Sequence, residues 1–211
     1  MMRLSMKVTI LSLLLFVAAC HNPAADTSKA VTGEPAKPAS PTSAAGEKYV
    51  ITPQNSKIEF TASKVTGHHN GSFEKFNGEI QHVDNDPTKG RVTITIDMSS
   101  VKTDTPKLTE HLKTPDFFDV AKFPQAQFVS TEIKPGGERG ASHTITGNLT
   151  MHGITKAVSF PATIAVTPDT ATVDSNFAIN RKDFGINFAG ATDDLIRDEV
   201  VLKFTIRAAK G

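Results

Sequence analysis

The sequence predicts an all-β domain of eight antiparallel strands. Three observations predict it. Eight runs between Ile58 and Ile206 alternate apolar and polar residues with period two. Steps rich in Gly, Pro, Asn and Asp separate the runs, and only one stretch carries helical spacing. Successive side chains of a strand point to opposite faces, so each run has one buried and one wet face. That is the antiparallel signature, because a parallel sheet covered on both sides reads as continuous apolar runs.

A leader precedes the domain and takes no part in it. Arg3 and Lys7 supply positive charge, and Val8 to Ala19 is apolar apart from Thr9 and Ser12. The run falls short of the roughly 20 residues that a membrane-spanning helix needs. A charged start, a short apolar run and small residues at its end form a secretory signal peptide, expected over residues 1–19. Val17-Ala18-Ala19-Cys20 resembles the lipobox of bacterial lipoproteins. In that class the peptide is cut before the Cys, whose thiol is diacylated with palmitate-like chains. Cys20 is the only cysteine of the chain, so no internal disulfide can form, and lipidation gives the thiol a use. His21 follows, where an Asp would direct many such proteins to the inner membrane. The expected location is therefore the periplasmic side of the outer membrane, held by the lipid.

Residues 20–47 are expected to be the lipidated Cys and a disordered tether. The segment His21 to Glu47 is rich in Ala, Pro, Ser and Thr, and has no aromatic residue and no apolar periodicity. Such a chain buries too little apolar area to offset its ordering entropy.

The domain proper is expected over 48–211, the size of one ordinary unit. Its strands follow in order. Ile58 to Val65 is the first, with Asn70-Gly71 after it as a hairpin signal. Phe73 to Val83 comes next, then the turn Asp84 to Gly90. Arg91 to Met98 places Val92, Ile94, Ile96 and Met98 on one face. Pro106 to Lys113 is the helical stretch, with Leu108 and Leu112 four apart and Pro106 suited to a first turn. Asp116 to Asp119 can add a short turn of helix. Gln125 to Lys134 and Ser142 to Met151 flank Pro135-Gly136-Gly137. Ala157 to Thr167, Ala171 to Ile179 and Val200 to Ile206 complete the eight. Eight such strands close into a barrel or stack as a sandwich, and periodicity does not choose. An eight-stranded barrel is either filled by side chains or holds one small ligand.

Composition excludes some partners. The chain has 23 Lys and Arg against 22 Asp and Glu, with no long single-sign run in the domain. A nucleic-acid partner needs a basic face, and none is marked. Catalysis finds no named residue. His68, His69, His82, His111 and His152 lack the spacing of a metal site. Asp193-Asp194 reads as a solvated pair, and no nucleophile-elbow motif occurs. Asn70-Gly71-Ser72 and Asn148-Leu149-Thr150 match glycosylation sequons by chance. No catalytic residue, metal or cofactor is expected.

A resemblance narrows the choice. Ser56 to Phe60 reads SKIEF, Gly71 to Gly78 reads GSFEKFNG, and Leu112 to Phe118 reads LKTPDFF. Phe123-Pro124 and Phe128 follow. Gly147-Asn148-Leu149-Thr150, Gly153 to Lys156 and Asn180 to Gly185 (NRKDFG) complete the set. These motifs, in this order, resemble the YceI family of periplasmic, lipocalin-like proteins. His68-His69 departs from it, because many members carry a single His there, and only some members have a lipid anchor. The resemblance implies an eight-stranded antiparallel lipocalin-like barrel with one short helix near the mouth. It also implies an isoprenoid or quinone-like lipid inside the barrel, and a possible homodimer. An apolar tube for such a chain needs apolar and aromatic walls. The expected wall residues are Phe60, Phe73 and Phe76 early in the domain, Phe117 and Phe118 after the helix, and Phe128, Leu149, Phe160, Phe177 and Phe204 later. Two consecutive Phe cannot both face inward on a strand, so one of Phe117 and Phe118 is expected to cover the mouth. Arg181 and Asp183 are expected to form a structural ion pair. Two rival readings stand beside lipid binding: a filled barrel serving structure or interaction, and a metal-dependent envelope enzyme.

Overall fold

The computed structural model describes residues 22–37 and 46–211. The expected signal peptide, Cys20, His21 and residues 38–45 of the expected tether lie outside the described residues. In chain order the elements are β1 (Ser28–Lys29), β2 (Val31–Gly33), β3 (Glu47–Ile51), β4 (Lys57–Lys64), β5 (His68–Phe73), β6 (Phe76–Val83), β7 (Asp86–Asp97) and β8 (Val101–Thr103). Helix α1 (Pro106–Leu112) follows, then β9 (Gln125–Pro135), β10 (His143–Met151), β11 (Ile154–Val166), β12 (Thr170–Asn180), β13 (Gly190–Ala191) and β14 (Asp194–Lys210). Among the described residues no helix is long and apolar enough to cross a membrane.

The strands close into an eight-stranded antiparallel barrel. Pairing runs β12, β11, β10, β9, β7, β6, β3 and β14, and β14 returns to β12 from Thr170↔Ala209 to Asn180↔Glu199. Three of the eight staves are broken midway. β3 gives way to β4, β5 to β6, and β7 to β8, each pair continuing in one direction along the barrel. In the upper half β14 pairs with β4, β4 with β5, and β5 with β8. The upper end carries α1, the β10–β11 turn, and the loops between β4 and β5 and between β12 and β14.

The turns have identifiable causes. Asp84 and Asn85 both adopt positive φ (58° and 55°), as a two-residue hairpin between right-twisted strands requires. His152 and Gly153 do the same between β10 and β11 (52° and 74°). Pro106 opens α1, where its missing N–H leaves nothing unpaired. Asp116 to Asp119 forms hydrogen-bonded turns rather than helix. The Phe118 amide donates to the Leu112 carbonyl (3.0 Å), folding the loop back on the helix.

Three expectations from the sequence do not hold. Asn70-Gly71 is not a hairpin tip; both residues lie inside β5, paired with Thr61 and Phe60. The chain reverses earlier, at 65–67, where the Lys64 amide donates to the Gly67 carbonyl (2.7 Å). β3 is an additional strand, carrying Tyr49 and Ile51, both fully buried.

The third concerns the tether. Residues 22–37 are not a free spacer; they pack on the barrel wall. β11 and β12 pair directly only over Thr163–Val166 with Ala171–Asp174. The ladder stops at Pro161, which has no N–H to offer β12. There the Ser175 hydroxyl donates to the Pro161 carbonyl (2.6 Å), and the strands part. The N-terminal segment fills the gap. β1 runs parallel to β12 at Phe177 and Ala178, and β2 pairs with β11 over Ala157 to Ser159. The Ala30 amide donates to the Ala178 carbonyl (2.8 Å) and Thr32 Oγ1 to Asp183 Oδ2 (2.8 Å). Ala24 is buried against Ala178 and Val201 on the outer wall. Composition could not forecast this, because the docking uses backbone groups of open strand edges, not an apolar face.

The lower half of the barrel is filled apart from an apolar void of about 20 Å³ beside Ile80, Ile145 and Ile206. Ile51, Ile80, Ile145, Ala171, Ile206 and Ala208 are all buried there. Tyr49 closes the bottom, with its hydroxyl 2.9 Å from the Thr167 carbonyl that it bonds. Burial, with the Glu47 carboxylate beside it, pushes the Tyr49 phenol up, so it stays a donor. His82 stacks on the Tyr49 ring, centroids 4.9 Å apart.

Candidate functional site

The upper half is hollow. Its inward side chains leave a cavity of about 130 Å³, around which every residue is apolar except Arg181. Nine of the ten expected wall residues stand around it: Phe60, Phe73, Phe117, Phe118, Phe128, Leu149, Phe160, Phe177 and Phe204. Phe76 does not. It is buried where the stave breaks at Glu74-Lys75 and pairs with Ile96, whose side chain takes the place on the cavity wall. Ile58, Ala62, Met98, Met151, Ile186 and Leu202, not singled out from sequence, also line the cavity. Ile58 and Leu202 lie on the inward faces of the predicted strands.

The aromatic rings line the cavity in separate groups. Phe160 and Phe177, from the two strands that part at Pro161, stack face to face at 4.1 Å and 7°. They bridge from inside the gap that residues 28–33 fill from outside. Phe204 meets both edge-on, and Phe128 leans on Phe160 at 5.6 Å. On the opposite side Phe60, Phe73 and Phe118 form a chain at 5.7 and 6.0 Å. Glycines make room for these rings. A Cβ at Gly71 would lie 2.2 Å from the Phe60 ring, and one at Gly147 would lie 2.4 Å from Phe128.

Phe117 and Phe118 both reach the cavity. They sit in consecutive turns, where strand alternation does not apply. Phe117 also touches Phe188 (5.2 Å) and the His111 ring (4.9 Å), so it carries the wall out to the rim.

Arg181 closes the upper side. The residue is 4% exposed, and its guanidinium reaches four acceptors. Nε donates to the Arg197 carbonyl (3.1 Å) and Nη1 to the Ile186 carbonyl (2.7 Å). Nη2 donates to the Ile196 carbonyl (3.4 Å) and to Asp198 Oδ1 (3.3 Å). A register shift between Ile196 and Val200 leaves residues 197–199 without β4 partners, and the arginine takes up the Ile196 and Arg197 carbonyls. Its ion-pair partner is thus Asp198, not the expected Asp183, which lies on the strap side of the turn accepting from Thr32. Burial lowers the affinity of Arg181 for its proton and Asp198 raises it; a guanidinium stays charged under both.

The histidines do not converge. His69 lies 2.8 Å from Asp104, His111 is 2.8 Å from Asp116, and His152 is 3.1 Å from the Phe184 carbonyl. Among the described residues no three His, Cys, Asp or Glu side chains could share a metal ion. Asp194 is not simply solvated as expected. It accepts from Lys64 Nζ (3.0 Å) and Thr66 Oγ1 (2.9 Å), and these bonds hold its carboxyl below the usual carboxylate range. It pins the 65–67 turn to β14.

Comparison with known proteins gives consistent likenesses. The YceI-like domain family matches residues 49–208. A UPF0312 protein of Pseudomonas putida (strain GB-1) is 34% identical over 132 residues, spanning 60% of this chain and 68% of its own length. The crystal structure of BcnA from Burkholderia cenocepacia superposes with a TM-score of 0.64 at 26% identity, covering 75% of this chain and 99% of BcnA. A polyisoprenoid-binding domain from Saccharophagus degradans, implicated in plant cell wall breakdown, superposes with a TM-score of 0.60 at 14% identity, covering 79% and 99%.

Proposed function

The chain belongs to the YceI-like domain family, and on that premise we propose that it binds a polyisoprenoid or similar long-chain apolar lipid in the upper half of its barrel. The observation that carries this reading is the cavity itself, apolar throughout apart from one arginine that is already engaged. Moving an apolar chain from water into such a tube gains roughly 25 cal/mol per Å² buried. The Saccharophagus domain, named for polyisoprenoid binding, supports the same class of ligand. Family and cavity together support a binding protein rather than an enzyme. The chain is exported, cut before Cys20 and lipidated there, and it stores or shuttles its lipid at the periplasmic face of the outer membrane.

Volume limits how much lipid enters unaided. A dry apolar cavity of roughly 150 Å³ takes a benzene-sized guest. At about 130 Å³, this cavity takes a long chain only if wall rings such as Phe118 swing aside, or if the rest of the chain leaves through the rim. The same number favours the second reading, a barrel filled for structure alone. A thermal titration separates the two. Adding a short-tailed quinone to the delipidated chain raises the melting temperature saturably, since a ligand held only by the folded state stabilises it. Ala62→Phe, which places a ring in the cavity, removes that rise. Identical melting curves with and without quinone support the filled barrel.

A further inference from the structure

Five large apolar residues are exposed among the described residues: Val31, Val50, Val65, Phe188 and Leu195. Three of them, Val65, Phe188 and Leu195, lie on the turns of the upper rim. The Val65 amide donates to the Leu195 carbonyl (3.1 Å), which sets the two residues side by side on neighbouring turns. Gly190 pairs with Leu195 across the β13–β14 hairpin. Phe188 lies two residues before that hairpin and touches Phe117. Val65 and Leu195 are 48% and 49% exposed. The crown is continuous with the cavity, because Ile196 and Phe117, next to Leu195 and Phe188, belong to its wall. Of the acids beside it, Asp194 pairs with Lys64, and Asp198 with Arg181 and Lys182, while Asp193 at the hairpin turn is exposed and forms no ion pair among the described residues. Isolated surface hydrophobes need no explanation, whereas an apolar cluster joined to a cavity marks an interaction site.

The path of the chain names the partner. Residues 22–24 lie on the outer wall beside Ala178 and Val201, in the same half of the barrel as the crown. Cys20 is two residues from Asn22, a reach of at most about 7 Å. The segment that composition marks as a long tether is instead strapped down by β1 and β2. On the proposed lipidation of Cys20, an anchor this close to Asn22 holds the upper half of the barrel near the bilayer.

We propose that Val65, Phe188 and Leu195 form a docking crown that inserts into the lipid bilayer, setting the mouth of the cavity against the membrane. An apolar cargo then crosses between bilayer and barrel without meeting water. This rests on the apolar-cargo reading above for its purpose, but not for its test.

The chain from residue 20 onward, carrying Cys20→Ser to remove the acyl anchor, is mixed with vesicles of phosphatidylethanolamine and phosphatidylglycerol and sedimented. The parent chain partitions to the vesicles. Val65→Ser with Leu195→Ser weakens partition about tenfold, the effect expected for two half-exposed apolar side chains losing their insertion. Val50→Ser, the loss of one exposed apolar side chain at the lower end, leaves it unchanged. All three chains keep their melting temperature, because the altered side chains are exposed. Organic extraction of the parent and the double variant reads cargo separately, so an empty barrel and a failed crown are distinguishable. The proposal is overturned if the parent stays in the supernatant, or if the rim and Val50 variants bind alike. A parent that dimerises without vesicles, while the rim variant stays monomeric, gives the crown to a second copy and also overturns it.

Discussion

Arg181→Met destabilises the protein by about 3–5 kcal/mol, the loss typical of breaking a buried, hydrogen-bonded charge. Methionine matches the arginine's apolar stem but offers no donor. The carbonyls of Ile186, Ile196 and Arg197 are then left facing an apolar cavity, and Asp198 keeps only Lys182. An unsatisfied buried acceptor costs about 1–3 kcal/mol, so loss of several at one point dominates the lost packing. Urea unfolding measures it, through a lower midpoint at an unchanged slope. Arg181→Lys restores the charge without the planar fork and recovers only part of the loss. A near-neutral Arg181→Met would show that the upper end is held by its apolar contacts alone. It would also leave the arginine free to serve a ligand head group.

Gly147→Val abolishes ligand uptake while leaving a folded barrel. Its Cβ would sit 2.4 Å from the Phe128 ring and 2.7 Å from the Val129 carbonyl. The ring is the part that can move, and the space beside it is the cavity. A displaced phenyl occupies most of about 130 Å³. Overpacking of this kind costs typically about 1–3 kcal/mol, and quinone no longer raises the melting temperature. Leu149→Ala, on the same strand, does the opposite and enlarges the cavity. If Gly147→Val binds quinone as well as the parent, the ligand does not lie against Phe128.

The fold was legible in the sequence wherever one face of a strand is buried and the other wet. Each of the eight alternating runs lies within or across one stave of the barrel, and Pro106 marks the start of the helix. The misreadings share a cause. Asn70-Gly71 carries a strong turn signal, yet Gly71 is needed as the flat bed for the Phe60 ring, a demand that comes from the neighbouring strand. Phe76 alternates like its fellows and is buried, but it sits at the break before β6, and its partner Ile96 lines the cavity in its place. Residues 22–37 dock through backbone edges exposed by Pro161, which no side-chain pattern records. Nine of the ten named residues line the cavity because inward Phe residues on strands are inward with or without a ligand. For the same reason, their placement does not speak to a ligand. Tyr49 and Ile51, two apart, did carry a strand signal for β3.

Whether the upper half of the barrel carries a lipid is tested most directly by organic extraction of the purified chain, with mass spectrometry of the extract. A long-chain isoprenoid is expected at about one molecule per barrel, as for an eight-stranded barrel holding one ligand. Recovery of no long-chain lipid, even after incubation with quinones, would contradict the lipid-carrying barrel.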